Sequence, residues 1–338
     1  MKKIIFLTNY KNLIPQLKNE IEGLNLDVIS NVLEVNDFDV KVIRINLFIS
    51  FLNHNESIKG VYFYYASSQY PIYKDFIQDI LVQITLRGGI LIPELRHFIA
   101  HENKNFQELE KVRIGIKSPY GIPVGTYEQG VEILNKSSYP KVIKKSSGFG
   151  SRHVKIANNK EAGKKILFKM LDNSFKLDID SLYYLYRRVK NKIHYPRRFG
   201  KVIIQEFIPN LDHDWKILAL GNKFMGGKRF VRKNDFRASG SGLYALNEDP
   251  PKEVLDFAMS CKQKLKCPIV SMDISEHKGD VQLLEYQTMH FSLLANRLFY
   301  FFELDNGTWT KSKITDALES YIGDGILEYI KTLESSIN

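Results

Sequence analysis

The 338-residue sequence predicts a mixed α/β and α+β chain, with an open parallel α/β domain first and two strand-rich subdomains after it. Three observations carry this. The first hundred residues alternate short β-rich runs with amphipathic pieces, the pattern of strand–helix units on an open sheet. The texture then changes at residues 119–125, where two prolines and two glycines punctuate the chain. Finally, the apolar runs 268–272 and 281–284 flank a polar connection holding Lys278, Gly279 and Asp280, which reads as a strand hairpin.

In order, strands are expected at 3–8, 40–45, 60–65 and 90–92, with a helix over 12–22. Residues 73–86 place Phe76, Ile77, Ile80, Leu81 and Ile84 on one helical face, and Gly88-Gly89 stops that helix. Thr126 can cap a helix to 136, and a strand follows over 139–144. Asn158 or Asn159 caps a helix over 161–171, and 181–193 reads as a further helix. Strands are expected at 201–207, 217–220, 224–228 and 242–245, then a helix from Pro251 to 265. After the hairpin, residues 311–336 read as one or two closing helices. The expected domains are 1–115, 116–200 and 201–338.

Composition sets bounds. The apolar fraction is 44% and the charged fraction 25%, an ordinary mix for a folded chain with a core. Cys261 and Cys267 suit neither a zinc ligand set nor a disulfide scaffold, so reduced thiols in a cytoplasmic protein are expected. The apolar run after Met1 is too short for a secretory segment, and no 18-residue apolar run exists to span a membrane. The net charge of +10 favours an anionic partner: nucleic acid, membrane surface or phosphorylated small molecule.

Several stretches carry chemistry, each with an ordinary reading beside it. Asp273 and Glu285 are expected at the ends of the two hairpin strands, with Gln287 on the same side as Glu285, a hard-oxygen set for Mg²⁺. They could equally cap an exposed hairpin. Lys144 precedes Ser146, Ser147, Gly148, Phe149, Gly150 and Ser151, a loop whose N–H groups could wrap phosphate or simply turn the chain. Residues 201–209 end an apolar strand in Gln205, Glu206, Phe207 and Ile208, suited to a purine or ribose or to plain solvation. Asp214 and Lys216 alternate with apolar neighbours. Then Lys228, Arg229, Arg232, Lys233 and Arg237 lead into a Ser/Gly loop, either a phosphate pocket or a solvated basic hairpin.

The order of these pieces over residues 100–292 resembles the ATP-grasp superfamily, especially the branch of glutamate-adding ligases, glutathione synthetase and D-alanine–D-alanine ligase. Residues 1–100 fit the family's preceding α/β domain. The resemblance implies an N-terminal open parallel pre-ATP-grasp domain followed by a two-subdomain ATP-grasp fold. Lys104 resembles the first ATP-contacting lysine and Lys144 the second, with Ser147, Gly148, Gly150 and Ser151 in the flap over the phosphates. Gln205, Glu206, Phe207 and Ile208 stand at the adenine hinge, and Asp214 would hold the ribose or orient neighbours. Arg237 resembles the arginine that stabilises the transferring phosphoryl group, with Lys216 beside it as a second catalytic cation. Asp273, Glu285 and Gln287 match the metal ligands. Two positions depart: Gln287 stands where the family usually has Asn, and Lys216 where many relatives have Arg.

The implied cofactors are ATP and two Mg²⁺, for which Mn²⁺ can substitute. The implied reaction activates a carboxylate as an acyl phosphate and captures it with an amine. The expected substrates are an amino acid and a peptide or sugar acid, phosphorylated or nucleotide-linked if the basic stretch from Arg187 to Arg198 meets them. Arg96, His97, His101 and the tyrosines of 62–73 are candidates for the acceptor pocket, with core packing as the alternative for the tyrosines. A homodimer is the expected assembly, without nucleic acid. A small-molecule kinase of the same fold is the first alternative, and a non-catalytic nucleic-acid binder the second.

Overall fold

The computed structural model describes residues 1–16, 20, 22–53, 57–147, 153–173, 183, 186–187, 189–191, 198–233, 235–239, 241–245, 247–277, 279–290 and 298–335. They form two compact units: Met1–His101 with Asp212–Asn338, and Glu102–Leu211.

The larger unit begins with β1 (Lys2–Thr8), α1 (Leu26–Glu34), β2 (Phe38–Arg44), α2 (Phe48–Asn53), β3 (Tyr62–Tyr65), α3 (Pro71–Leu86), β4 (Ile90–Ile92) and α4 (Leu95–Ala100). The smaller unit holds α5 (Lys104–Arg113), β5 (Gly121–Thr126), α6 (Tyr127–Lys136), β6 (Lys141–Lys145), β7 (Val154–Ala157), α7 (Lys160–Met170), β8 (Asp172–Asn173) and β9 (Arg198–Glu206). The chain returns to the larger unit with β10 (His213–Leu220), β11 (Lys223–Phe230), β12 (Tyr244–Ala245), α8 (Lys252–Leu265), β13 (Ile269–His277), β14 (Asp280–Gln287), β15 (Tyr300–Asp305), β16 (Thr308–Lys313) and α9 (Leu318–Ser335).

The first four strands make a parallel sheet in the order β2-β1-β3-β4. Strand β1 runs apolar from Ile4 to Leu7 because both of its faces are covered. Its neighbours lie on opposite sides, so the chain reverses direction of travel between β1 and β3. In open sheets of this kind the loops leaving two such strand ends diverge, which is where ligands bind. The second sheet of this unit is antiparallel, β14-β13-β10-β11-β15-β16 with β12 on β11. Ile4, Phe6, Ile29 and Leu33 share one apolar core with Leu218, Met225, Ile322 and Ile326. Burying that many large apolar side chains, at roughly 1.5–3 kcal/mol each, supplies the main drive for this unit.

The smaller unit wraps an antiparallel sheet, β5-β9-β6-β7 with β8 on β9, around Val124, Leu134, Ile143, Leu167, Val202 and Ile204. Helices α6 and α7 approach closely because Gly130 carries no Cβ; one there would lie 2.3 Å from Leu167 Cδ2.

The mixed α/β and α+β class holds, and three local expectations change. No helix covers 12–16. Asn9 Oδ1 accepts from the N–H groups of Lys11 and Leu13, Asn12 sits at φ 62°, and Pro15 pairs with Gly23 in an isolated bridge. These local bonds compete with a helix, and the first helix instead starts at Leu26, capped by the Asn25 side chain. Residues 311–313, expected to open a helix, instead end strand β16, because Lys311, Ser312 and Lys313 pair with β15. Asp273 and Glu285 do not end their strands: β13 and β14 run on past both. Most of the helix expected over 181–193 lies outside the described residues. Among those residues no helix is long and apolar enough to cross a membrane.

Candidate functional site

In the larger unit, strand register gathers charge on one face of the antiparallel sheet. Asp214 stands opposite Arg229, Lys216 opposite Asp273, and Asp273 opposite Glu285. Asp214 and Lys216 are two residues apart on β10, and Glu285 and Gln287 two apart on β14, so all six project from the same side.

The contacts are short and largely dry. Arg229 Nε and Nη2 donate to Asp214 Oδ1 and Oδ2 at 2.8 and 2.6 Å, a two-pronged clamp. The same Nη2 lies 2.8 Å from Asp273 Oδ2, while Lys216 Nζ lies 2.8 Å from Asp273 Oδ1. Burial pushes the Asp214 carboxyl up to about 6 against the pull of Arg229. Burial also opposes ionisation of Asp273, but Arg229 and Lys216 together outweigh it and hold that carboxyl well below the usual range. Burial would lower the Arg229 pKa, yet the two aspartates prevail and raise it, so the guanidinium stays charged.

Sequence reasoning did not single out Arg229. Its signal lay in the register: it is the basic residue whose β11 position faces Asp214.

A hard cation fits part of this set. Gln287 Nε2 donates to Glu285 Oε1 at 3.2 Å, leaving Gln287 Oε1 buried with no hydrogen-bond partner among the described residues. A buried amide oxygen beside a carboxylate is an incomplete oxygen shell of the kind Mg²⁺ takes. Asp273 fits only by exchange, because both its oxygens already face cations. Among the described residues no three His, Cys, Asp or Glu side chains group as a metal site. Arg237 lies between β11 and β12, with Nε and Nη2 at 2.8 and 2.7 Å from the Asp235 oxygens. The Asp235 hydrogen bonds raise its pKa.

The same unit has a second polar centre, in the loops beyond β1 and β3. Glu20, fully buried, accepts from Ser68 Oγ at 2.7 Å and Asn9 Nδ2 at 3.2 Å. Ser67 Oγ lies 2.6 Å from His101 Nδ1, and the His101 and His290 rings meet at 4.3 Å. Both Nε2 atoms are buried without a hydrogen-bond partner among the described residues. Burial holds both imidazoles neutral, His290 down to about 4 and His101 well below its ordinary value. The other pocket candidates lie elsewhere: Tyr62 to Tyr65 are core, and His97 Nε2 sits 3.0 Å from Leu265 O, with Arg96 bonded to the same carbonyl.

In the smaller unit, Lys144 lies on β6 opposite Ile203. Lys104 opens α5, and its N–H donates to Ser146 O at 3.1 Å, which brings it to the strand end that carries Lys144. Ser147 is exposed, and Gly148, Gly150 and Ser151 lie outside the described residues. Gln205 is buried, with its amide turned inward onto Glu108 and the Pro119 carbonyl. Glu206 is exposed, and Phe207 and Ile208 leave the strand half-buried.

No family model matches the chain, and no curated relative does. Solved structures do. D-cycloserine synthetase DcsG aligns over 96% of this chain and 99% of its own, at 8% identity and TM-score 0.54. D-alanine–D-alanine ligase from Bacillus anthracis aligns over 100% of both chains, at 14% identity and TM-score 0.51. A RimK-domain ATP-grasp protein from Sphaerobacter thermophilus aligns over 96% and 99%, at 10% identity and TM-score 0.51. With its parallel and antiparallel sheets aligned over essentially the full length of such proteins, the chain has the ATP-grasp fold.

Proposed function

We propose that this protein is an ATP-dependent carboxylate–amine ligase working through an acyl phosphate. The observation that carries the reading is the charged face of the antiparallel sheet: three carboxylates and a buried amide oxygen against two cations, in an ATP-grasp fold. The solved ATP-grasp ligases that align with this chain support it. Lys104 and Lys144 take the phosphate charge, with Ser147, Gly148, Gly150 and Ser151 as the flap. Main-chain groups of Glu206 to Ile208 take the adenine edge, and Asp214 the neighbourhood of the ribose.

Glu285 and Gln287, with Asp273 after exchange of one cation, hold Mg²⁺, which offsets phosphate charge when bound; two ions are the fuller proposal, with Mn²⁺ as a substitute. A substrate carboxylate oxygen attacks the γ-phosphorus of ATP, and the bond to ADP breaks. An amine then attacks the acyl carbon, phosphate leaves, and the amine gives up a proton as the amide forms. Arg237 and Lys216 stabilise the transferring phosphoryl group, so positioning and electrostatics do the work without a protein nucleophile. The polar centre of Glu20, His101 and His290 takes the organic substrate. His290 is three residues beyond Gln287, so the chain itself keeps that centre near the metal ligands. An amino acid joined to a peptide or sugar acid is the proposed pairing, in the cytoplasm and as a homodimer.

The test is a panel of amino acids and sugar acids with ATP and Mg²⁺, scored by phosphate release and trapped with hydroxylamine. A hydroxamate supports the ligase. A stable phosphoester with no hydroxamate assigns a kinase instead.

A further inference from the structure

Helix α5 buries the wrong face for its composition. Leu109 and Val112 are exposed, while Glu108 and Lys111 are buried, Lys111 completely. Their ion pair, Lys111 Nζ to Glu108 Oε1 at 2.8 Å, is almost fully withdrawn from water. Ion pairs of this kind are a poor source of net stability, because desolvating two charges costs about as much as their attraction returns. Its partners point to another role.

Glu108 Oε1 also accepts from Gln205 Nε2 at 3.2 Å, and the same amide lies 3.2 Å from the Pro119 carbonyl. One residue on, the Glu206 N–H donates to Tyr120 O at 2.9 Å. Gly121, which opens β5 opposite Gln205, leaves room for the carboxylate: a Cβ there would lie 2.9 Å from Glu108 Oε2. The pair therefore ties α5, the entry to β5 and the last residues of β9 into one fixed block. From that block the chain departs through Glu206, Phe207 and Ile208.

We infer that Glu108 and Lys111 are positioning residues that fix the end of β9 through Gln205, and so set the affinity and selectivity for the adenine base. The inference rests on the proposed function, in which the Glu206–Ile208 main chain meets that base. A hinge that reads a base by main-chain N–H and C=O groups must hold them within a few tenths of an ångström. Side chains that never touch the ligand can supply that constraint. A neighbouring aliphatic pair would give packing but no directional hold on the Gln205 amide.

The experiment uses the full chain and measures binding of a non-hydrolysable ATP analogue and of its guanine counterpart. The double variant Glu108→Leu with Lys111→Met removes both charges together, so no buried charge is stranded, and it removes the acceptor of the Gln205 amide. The expected result is a folded protein whose adenine-nucleotide Kd rises roughly tenfold, the scale of one net hydrogen bond, with the guanine analogue changing less. The kcat at saturating ATP stays within about twofold, because only positioning of the base has changed. Lys111→Arg alone, which keeps a cation opposite Glu108, retains the parent's affinity. Gln205→Met leaves the pair intact but cuts its link to β9, and is expected to weaken the adenine analogue in the same way. Unchanged adenine affinity in either folded variant, or equal loss for both bases, overturns the inference while leaving the ligase reading standing. An unsubstituted protein that binds neither analogue, or binds both alike, overturns the hinge assignment and the inference together.

Discussion

Arg229 Nη2 stands 2.8 Å from Asp273 while the same guanidinium grips Asp214, so one buried cation holds two carboxylates on neighbouring strands. Arg229→Met would leave Asp214 without its hydrogen-bonding cation and Asp273 with Lys216 alone. Removing one partner of a buried charge cluster costs about 3–5 kcal/mol, a large part of a domain's stability. Arg229→Lys keeps the charge but loses the two-pronged geometry, and is expected to cost less. Urea unfolding of the two variants checks this; equal and small losses would mean that the cluster is not dry.

Glu285 and Gln287 test the metal site directly. Glu285→Ala is expected to abolish turnover with the fold retained. Gln287→Leu removes the buried amide oxygen, and is expected to raise the Mg²⁺ concentration for half-maximal rate roughly tenfold or more. Gln287→Asn, a methylene shorter, should fall between the two. Isothermal titration of Mg²⁺ with bound nucleotide gives the same ordering independently of rate.

What could be read from the sequence follows the range of the interactions involved. The hairpin acids were legible because a period-2 pattern and a Gly turn are local, although β13 and β14 outrun the strand ends that the apolar runs implied. Arg229 was not. Five basic residues crowd positions 228–237, and only the β10–β11 register decides which of them is buried against Asp214. Glu108 and Lys111 have the i,i+3 spacing of an ordinary surface ion pair, so nothing in the sequence says that they are buried. Gln205 read as a ligand residue because a strand end in Gln-Glu-Phe does not say which side chain turns inward. The helix expected over 12–22 does not form over 12–16, where the Asn9 side chain bonds the Lys11 and Leu13 N–H groups and Pro15 bridges to Gly23.

Lys144 and Arg237 separate binding from chemistry. Lys144→Ala is expected to weaken ATP binding by about 1.5–3 kcal/mol, the worth of a charge-assisted hydrogen bond. Arg237→Ala should lower kcat with little change in nucleotide affinity, as for a group that acts on charge developed in the transition state. Nucleotide binding without turnover, compared with steady-state rates, distinguishes the two. An Arg237→Ala protein that lost affinity and kept kcat would move that residue from the reacting phosphate to ground-state binding.

The His101–His290 pair predicts how stability depends on pH. Burial lowers both, His290 from 6.5 to about 4, so the unfolded chain binds protons that the folded protein refuses. Between those values the unfolded state holds more protons, and stability must rise with pH. The His290 contribution is fully present above pH 6.5 and is lost as pH falls towards about 4, on the order of 3 kcal/mol. Asp214 acts in the opposite sense. Its carboxyl is raised from 3.8 to about 6, so its contribution is present at low pH and disappears as pH rises through 6. The two partly cancel in the unsubstituted protein, and its Tm between pH 4 and 6.5 should be flatter than either group alone dictates. His290→Gln removes the first contribution, so the variant should gain stability relative to the parent as pH falls below 6. Asp214→Asn removes the second and should show the reverse trend, on top of the loss of its two-pronged contact with Arg229. Thermal unfolding at half-unit pH steps resolves both; parallel curves for His290→Gln and the parent would show that the imidazole titrates alike in the folded and unfolded chain.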